Sequence, residues 1–487
     1  GIFLAGLLRP AILNPSVPER DNRSRACRVW TPAACSRLEF VRSATPAQLR
    51  SLLPMLYICC SLQCLPQEYV MSLREEALAF HEAFRGKIAV HSKVPCATSQ
   101  DLSLAYTPGV AEPCREIEKN PDDVYRYTAK GNLVAVVTDG SAVLGLGDIG
   151  ASASIPVMEG KAILFKNFAG IDAFPIAISS KDPEDIVKTV AMIEPIFGGI
   201  NLEDISAPRC FEVEKRLKDA LNIPVFHDDQ HGTAVVALAA LINALRLVGK
   251  DFQDLKVAVS GAGAAGVAVT SFLLSFGAED VILCDSRGTI HKGRQDLNPF
   301  KEKIARITNP RNLTGTLKDA IRGADVFLGL SVAGILTQEM VRSMAEDAVV
   351  FALANPDPEI MPEQAEEAGA RVVATGRSDY PNQVNNALGF PGIFRGALDV
   401  RASEINEPMK MAASRAIAGL VENPTPQCII PSPFDVRVVP AVAEAVARAA
   451  IESGVARMPL DPAEVRRRAE VRIRRREDEE PSFPLIP

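Results

Sequence analysis

The chain has 487 residues, with 53 Lys and Arg against 60 Asp and Glu and a net charge of −7. That length exceeds what one ordinary core supports and implies two or three domains, while the acidic balance argues against a general nucleic-acid binder, which would carry a basic surface. Aromatic residues are only 6% of the chain, a texture typical of α/β enzymes, and no apolar run is expected to be long enough to span a bilayer.

Residues 1–70 contain no Lys, carry eight Arg before position 51 and hold the single Trp. A leader for organellar import can have that Arg-rich composition. At Met71 the texture changes to the charged, Lys-bearing, helix-patterned "MSLREEALAFHEAFRGKIAVHSKV". The expectation is that Met71 is the natural start and that 1–70 is a non-native or disordered extension. Five of the ten cysteines fall in this stretch, without the spacing of a disulfide framework or a zinc site.

Residues 71–230 read as a first α/β domain. "LAYTPGVAEP" places Tyr106 before a Pro-Gly turn. The strand-like "NLVAVVTDGSAV" runs into "GLGDIG", which matches G-x-G-x-x-G. No acid-ended strand follows it at the right distance, so it reads as a glycine-rich loop near a site. "MEGKAILFKNFAG" carries Lys161, which beside a metal and another cation could have a lowered pKa and act as a base. A surface lysine and a buried tyrosine are the ordinary alternatives. "FGGINLEDISAP" closes an apolar run with Glu203 and Asp204, and about 25 residues on "FHDDQHGTA" closes another with Asp228 and Asp229. The second pair could cap the helix-patterned run that follows. Alternatively, two adjacent strand ends could bring the acids together, and such crowded carboxylates would need a divalent cation, Mg²⁺ or Mn²⁺ rather than zinc. Spacing leaves both readings open.

Residues 231–460 read as a Rossmann-like, doubly wound dinucleotide-binding domain. "KVAVS" leads into Gly261, Ala262, Gly263, Ala264, Ala265 and Gly266, then a helical pattern, then "DVILCD" ending in Asp285. This is the full βαβ setting of the G-x-G-x-x-G fingerprint: a tight turn, close approach to the pyrophosphate, tight helix–strand packing and an acid for the ribose. Asp285 favours NAD⁺, while Arg287 could accommodate the extra phosphate of NADP⁺. Three later strand-like runs begin near 324, 347 and 371. Asn355 ends one of them, and Asn385 and Asn386 precede an apolar segment, where caps and turns are competing explanations. Residues 461–487 form a charged tail whose "RRRAEVRIRRREDEE" reads as a solvated helix end.

Taken in order, "SLAYTPGVAEPC", "TDGSAVLGLGDIG", "PVMEGKAILFK", "GGINLEDI", "FHDDQHGTA", "SGAGAAG" and "RSDYPNQVNN" resemble the malic enzyme family, particularly its short bacterial type. The resemblance runs from Met71 to about residue 455. It implies oxidative decarboxylation of (S)-malate to pyruvate and CO₂ with reduction of NAD⁺ or NADP⁺. Lys161 matches the lysine that takes the hydroxyl proton, and Asp228 an aspartate that assists it. Tyr106 matches the tyrosine that protonates the enol. Glu203, Asp204 and Asp229 match the metal ligands, and Asn355 and Asn385 the substrate-side asparagines near the nicotinamide. It further implies a cytoplasmic homo-oligomer with malate as its small-molecule partner and neither nucleic acid nor membrane. Ala142 stands where larger members carry an arginine for a malate carboxylate, so that anchor is unidentified. Rival readings are a malolactic or oxaloacetate-decarboxylating enzyme using the same site, an amino-acid dehydrogenase, and a catalytically silent dinucleotide-binding regulator.

Overall fold

The computed structural model describes residues 72–143 and 145–477; the 1–70 extension lies outside them. The chain divides after Arg85 into two units. The described part of the first is the helix Leu73–Phe84, started by a reciprocal capping box between Ser72 and Glu75.

The second unit holds two mainly parallel sheets. The first has the order β2-β1-β3-β4, with β1 Leu133–Thr138, β2 Asp172–Ala177, β3 Gly199–Leu202 and β4 Val225–His227. The other has the order β10-β9-β8-β5-β6-β7. Its strands are β5 Lys256–Ser260, β6 Asp280–Asp285, β7 Gly288–Thr289, β8 Val326–Gly329, β9 Val349–Ala352 and β10 Val372–Thr375. Only the β6–β7 pair is antiparallel. The order reverses between β5 and β8, which creates a crevice at the carboxyl ends of the strands.

The strands are almost continuously apolar because both faces of each sheet are covered. In β1, Val134 and Val136 face one cluster, and Ala135 and Val137 face another. Likewise Val257 and Val259 of β5 face the first cluster, and Ala258 faces a third. The shared cluster is organised by the helix Asp228–Val248, which touches the helices Ala264–Ser275 and Glu407–Gly419.

By length and composition alone that helix could cross a membrane, contrary to the expectation from sequence. Most of it is buried within the protein, and Asn243 in its middle donates to the carbonyls of Ala418 and Ile429, both at 2.9 Å. A buried amide satisfied by protein carbonyls belongs to a core helix. The helix Pro462–Glu477 is more than a solvated end, because Val465 and Ala469 are buried.

Candidate active site

The register of the first sheet assembles the site. Leu202 lies opposite His227 in the parallel β3–β4 pair, so the residues that follow each strand emerge side by side. Glu203 and Asp204 come from one strand end, Asp228 and Asp229 from the other. Asp204 adopts a left-handed backbone with φ 54°, and its N–H donates to Asp229 Oδ2 at 2.8 Å. One carboxylate oxygen from each of Glu203, Asp204 and Asp229 lies within 4.8 Å of the others. Burial first, and then the neighbouring carboxylates, push their pKa values up, to about 7 for Glu203, about 8 for Asp204 and about 6 for Asp229. Asp204 Oδ2 is buried without a hydrogen-bond partner. Leaving a buried carboxyl oxygen so is costly, and a set of hard oxygen ligands this close fits a divalent cation such as Mg²⁺ or Mn²⁺.

Asp228 is the first residue of its helix, yet its side chain does not cap it. Its Oδ2 accepts from Lys161 Nζ and from Asn386 Nδ2, each at 2.6 Å. A Cβ on Gly232, one turn along, would lie 1.9 Å from Asp228 Oδ1, so glycine there leaves the carboxylate its room. The adjacent aspartates thus divide: Asp229 joins the acid set and Asp228 meets the lysine.

Lys161 lies on the helix Gly150–Ala169 and is 7% exposed. Its Nζ is 2.9 Å from Glu203 Oε1 and 4.3 Å from the centre of the Phe390 ring. Burial alone would lower the pKa of this ammonium. Asp228 and Glu203 outweigh burial and hold it above the ordinary lysine value. The lowered value expected from sequence is for a lysine beside a metal and another cation; the groups that set the direction here are the two carboxylates. Ala142, at the family's arginine position, contributes its backbone N–H to Asp204 O at 2.9 Å.

The other expected residues are less closely gathered. Tyr106 ends the helix Ser99–Ala105 and is 66% exposed. No hydrogen bond or ion pair among the described residues joins it to Lys161 or the acids. Asn355 follows β9 and comes within 3.6 Å, through its carbonyl oxygen, of where a Cβ on Gly145 would stand, so the glycine-rich loop reaches the end of that strand. Asn385 Oδ1 accepts from Ala387 N at 2.9 Å and caps a short helical turn, while the neighbouring Asn386 reaches Asp228.

Behind the acids lies a polar network that the sequence reading missed. Glu214 accepts from His231 Nε2 at 2.8 Å and from Lys218 at 2.7 Å. His231 Nδ1 is 3.2 Å from Lys410 Nζ, and Lys410 also pairs with Glu407. Burial lowers the His231 pKa to about 4. The neutral ring therefore accepts from Lys410 at Nδ1 and donates to Glu214 at Nε2. His227 is likewise kept neutral by burial, with a pKa of about 4, and its Nε2 is 3.6 Å from Asp229 Oδ2. Nothing in the local pattern around Lys410 separates it from a surface lysine; only tertiary packing does.

The dinucleotide fingerprint is also built as a site. Gly261 has φ +108°, and a Cβ there would come within 2.2 Å of Leu330 O. A Cβ on Gly266 would meet Gly261 O at 1.7 Å, whereas one on Gly263 has nothing within 4 Å. The turn is closed on its inner side and open at Gly263. Ala262 lies in this turn, and Ala264 and Ala265 begin the helix Ala264–Ser275, whose N-terminus has no side-chain cap. Its free N–H groups suit a pyrophosphate. Asp285 ends β6, as expected.

A parallel sheet ending in three acids that could hold a cation, next to a sheet with a dinucleotide turn, is the layout of a dinucleotide-dependent oxidoreductase. Residues 85–183 match the model of the malic enzyme N-terminal domain, and residues 230–451 match that of the malic enzyme NAD-binding domain. The chain belongs to the malic enzyme family. It is 61% identical over 398 residues to the bifunctional malic/malolactic enzyme of Bacillus subtilis, covering 81% of this chain and 97% of that one. It is 59% identical to the NAD-dependent malic enzyme of Geobacillus stearothermophilus, covering 76% and 78%. With the NADP-dependent malic enzyme of Halomonas elongata the identity is 52%, covering 79% and 95%. The crystal structure of malic enzyme from Pyrococcus horikoshii superposes with a TM-score of 0.80 at 49% identity, covering 84% of this chain and 97% of that one.

Proposed function

We propose that the chain converts (S)-malate to pyruvate and CO₂ with reduction of NAD⁺ or NADP⁺ and the help of Mg²⁺ or Mn²⁺. The observation that carries this reading is the position of Lys161 Nζ, 2.6 Å from Asp228 and 2.9 Å from Glu203. It sets a proton-transfer group against a member of a three-acid cation site. Glu203, Asp204 and Asp229 would hold the cation, which when bound polarises the C2 oxygen of malate while the dinucleotide accepts hydride. Lys161, having passed a proton to Asp228, takes the hydroxyl proton of malate as the C2 carbonyl forms. Asn386 holds Asp228 in line for that exchange. Tyr106 supplies the proton that turns the enol into pyruvate, a role that requires the phenol to reach the cleft. Asn355 and Asn385 flank the substrate near the nicotinamide.

A second reading, malate to lactate without net release of reduced cofactor, is favoured by the name borne by the Bacillus subtilis relative. We place the protein in the cytoplasm, in keeping with its bacterial relatives. We also take it to be a homo-oligomer, supported by the exposed Leu102, Leu104, Tyr106 and Val110. Malate turnover with Mn²⁺ and each cofactor, with and without chelator and with pyruvate and lactate both measured, tests the proposal. Turnover that survives chelation, or no pyruvate with either cofactor, would overturn it.

A further inference from the structure

The helix Asp228–Val248 opens with two adjacent aspartates, and its N-cap residue, His227, makes no side-chain capping bond. A carboxylate in the first turn of a helix is ordinarily drawn back to the free N–H groups and the positive end of the dipole. Here Asp228 turns instead to Lys161 and Asn386, and Asp229 Oδ2 accepts from Asp204 N. Another anion has to serve the helix start.

That anion comes from a different helix. Glu214 lies on Arg209–Ala220 and is 6% exposed. Its Oε1 accepts from the backbone N–H of His227 at 3.4 Å, and its Oε2 from Gln230 Nε2 at 3.3 Å. His231 Nε2 is 2.8 Å from one oxygen and 3.0 Å from the other. Three donors on one carboxylate therefore come from the N-cap and first turn of the helix that carries Asp228 and Asp229. Lys218 Nζ, 2.7 Å from Oε1, supplies the counter-charge. His231 is held on its far side as well. Its Nδ1 faces Lys410 Nζ, which is 3% exposed and lies on the helix Glu407–Gly419. Ser414 of that same helix donates to Val235 O at 2.9 Å. The His231 ring also packs on Phe226, with centroids 5.4 Å apart. A buried polar network with its members paired in this way fixes one geometry.

We infer that Glu214 is a positioning residue of the active site. By serving the helix start from outside, it leaves Asp229 free for the cation and Asp228 free for Lys161. It acts through His231, and Lys410 is the stop that fixes the ring. Without this carboxylate the two aspartates are the nearest anions to the helix end, and each is drawn back toward it. The inference rests on the cation reading of Glu203, Asp204 and Asp229.

The test is titration of the full chain with Mn²⁺, followed by electron paramagnetic resonance, with 5′-AMP titration of the same sample to report the dinucleotide turn. Glu214→Gln keeps the volume but removes the charge and one acceptor oxygen. It should weaken Mn²⁺ binding about tenfold or more, within the range of outer partners of metal ligands, and leave 5′-AMP affinity unchanged. In malate turnover it should lower kcat more than it raises KM. His231→Leu, which offers Glu214 no donor, should weaken Mn²⁺ binding in the same way. His231→Gln, which keeps an N–H donor, should recover most of that loss. Native Mn²⁺ affinity in Glu214→Gln would overturn the inference. So would a parallel loss of Mn²⁺ and 5′-AMP binding, the mark of a purely structural role, or equal losses in the two His231 variants. An unsubstituted chain that binds no Mn²⁺ would instead refute the cation reading, and this inference with it.

Discussion

Asn386 donates to Asp228 at 2.6 Å across 158 residues of sequence. It binds the same carboxylate oxygen that receives Lys161, so the lysine's partner is held from both sides of the cleft. Asn386→Ala should lower kcat for malate oxidation about tenfold or more, the scale of one charge-assisted hydrogen bond, with a smaller change in KM. Steady-state kinetics across pH reads the effect. An unchanged kcat would show that Asp228 is positioned without it.

Asp229→Ala should weaken Mn²⁺ binding by at least about 100-fold, since even outer partners of metal ligands are worth 10–100-fold. Turnover should vanish under trace-metal control while dinucleotide binding persists. Electron paramagnetic resonance of added Mn²⁺, together with nucleotide titration, separates the two. Full activity in the variant would refute the assignment of the acid set.

Lys161→Ala should block hydride transfer from malate. Tyr106→Phe should instead slow proton exchange at C3 of pyruvate more than oxidation. Loss of a general acid or base typically costs about 10²–10⁴-fold. Normal pyruvate exchange in Tyr106→Phe, followed by NMR in deuterated water, would remove Tyr106 from the mechanism.

The raised pKa values of Glu203 and Asp204 make stability depend on pH. A carboxyl whose pKa is higher folded than unfolded favours the protonated fold. Its contribution is present below the ordinary carboxylate range and is lost as pH rises through about 7 for Glu203 and about 8 for Asp204. With chelator present, Tm should fall across that window, and Asp204→Asn should flatten the fall. Added Mn²⁺ should restore stability, with its effect growing as pH rises and protons cease to compete. A metal-induced gain in Tm independent of pH would argue against an ionising acid cluster. Thermal melts at several pH values provide the check.

Gly266→Ala should disrupt the dinucleotide turn, because a methyl there meets Gly261 O at 1.7 Å. Overpacking a tight site costs about 1–3 kcal/mol or more, so a clear drop in Tm and loss of nucleotide binding are expected. Gly263→Ala meets no neighbour and should leave Tm unchanged while weakening the pyrophosphate interaction. Equal Tm for the two variants would mean that the turn relaxes freely.

The sequence made the dinucleotide turn legible because its constraints are local: the glycines, the strands and Asp285 lie within one βαβ unit. The acid pairs were legible as candidates for the same reason, each closing an apolar run. Their convergence was not, since it depends on Leu202 pairing with His227, a register that spacing leaves open. Lys161 was recognised by its motif and Asp228 as its partner, but the closeness of Glu203, at 2.9 Å from the same ammonium, depends on the tertiary fold. Asp285 shows the same limit. Its position is local information, but Arg294 and Lys301 reach it from 9 and 16 residues further on and occupy its oxygens. The Glu214–His231–Lys410 network joins elements far apart in the chain, where no local pattern marks it.

The helix Asp228–Val248 begins with two acids of the site and then runs through the core shared by both sheets. A seam cut at residue 230, where one family model takes over, would strip the aspartates from the helix that aims them. Any chimera exchanging the dinucleotide half between relatives must therefore inherit this helix whole, with β4 ahead of it. The two halves are modular in topology, but for recombination they form one indivisible block.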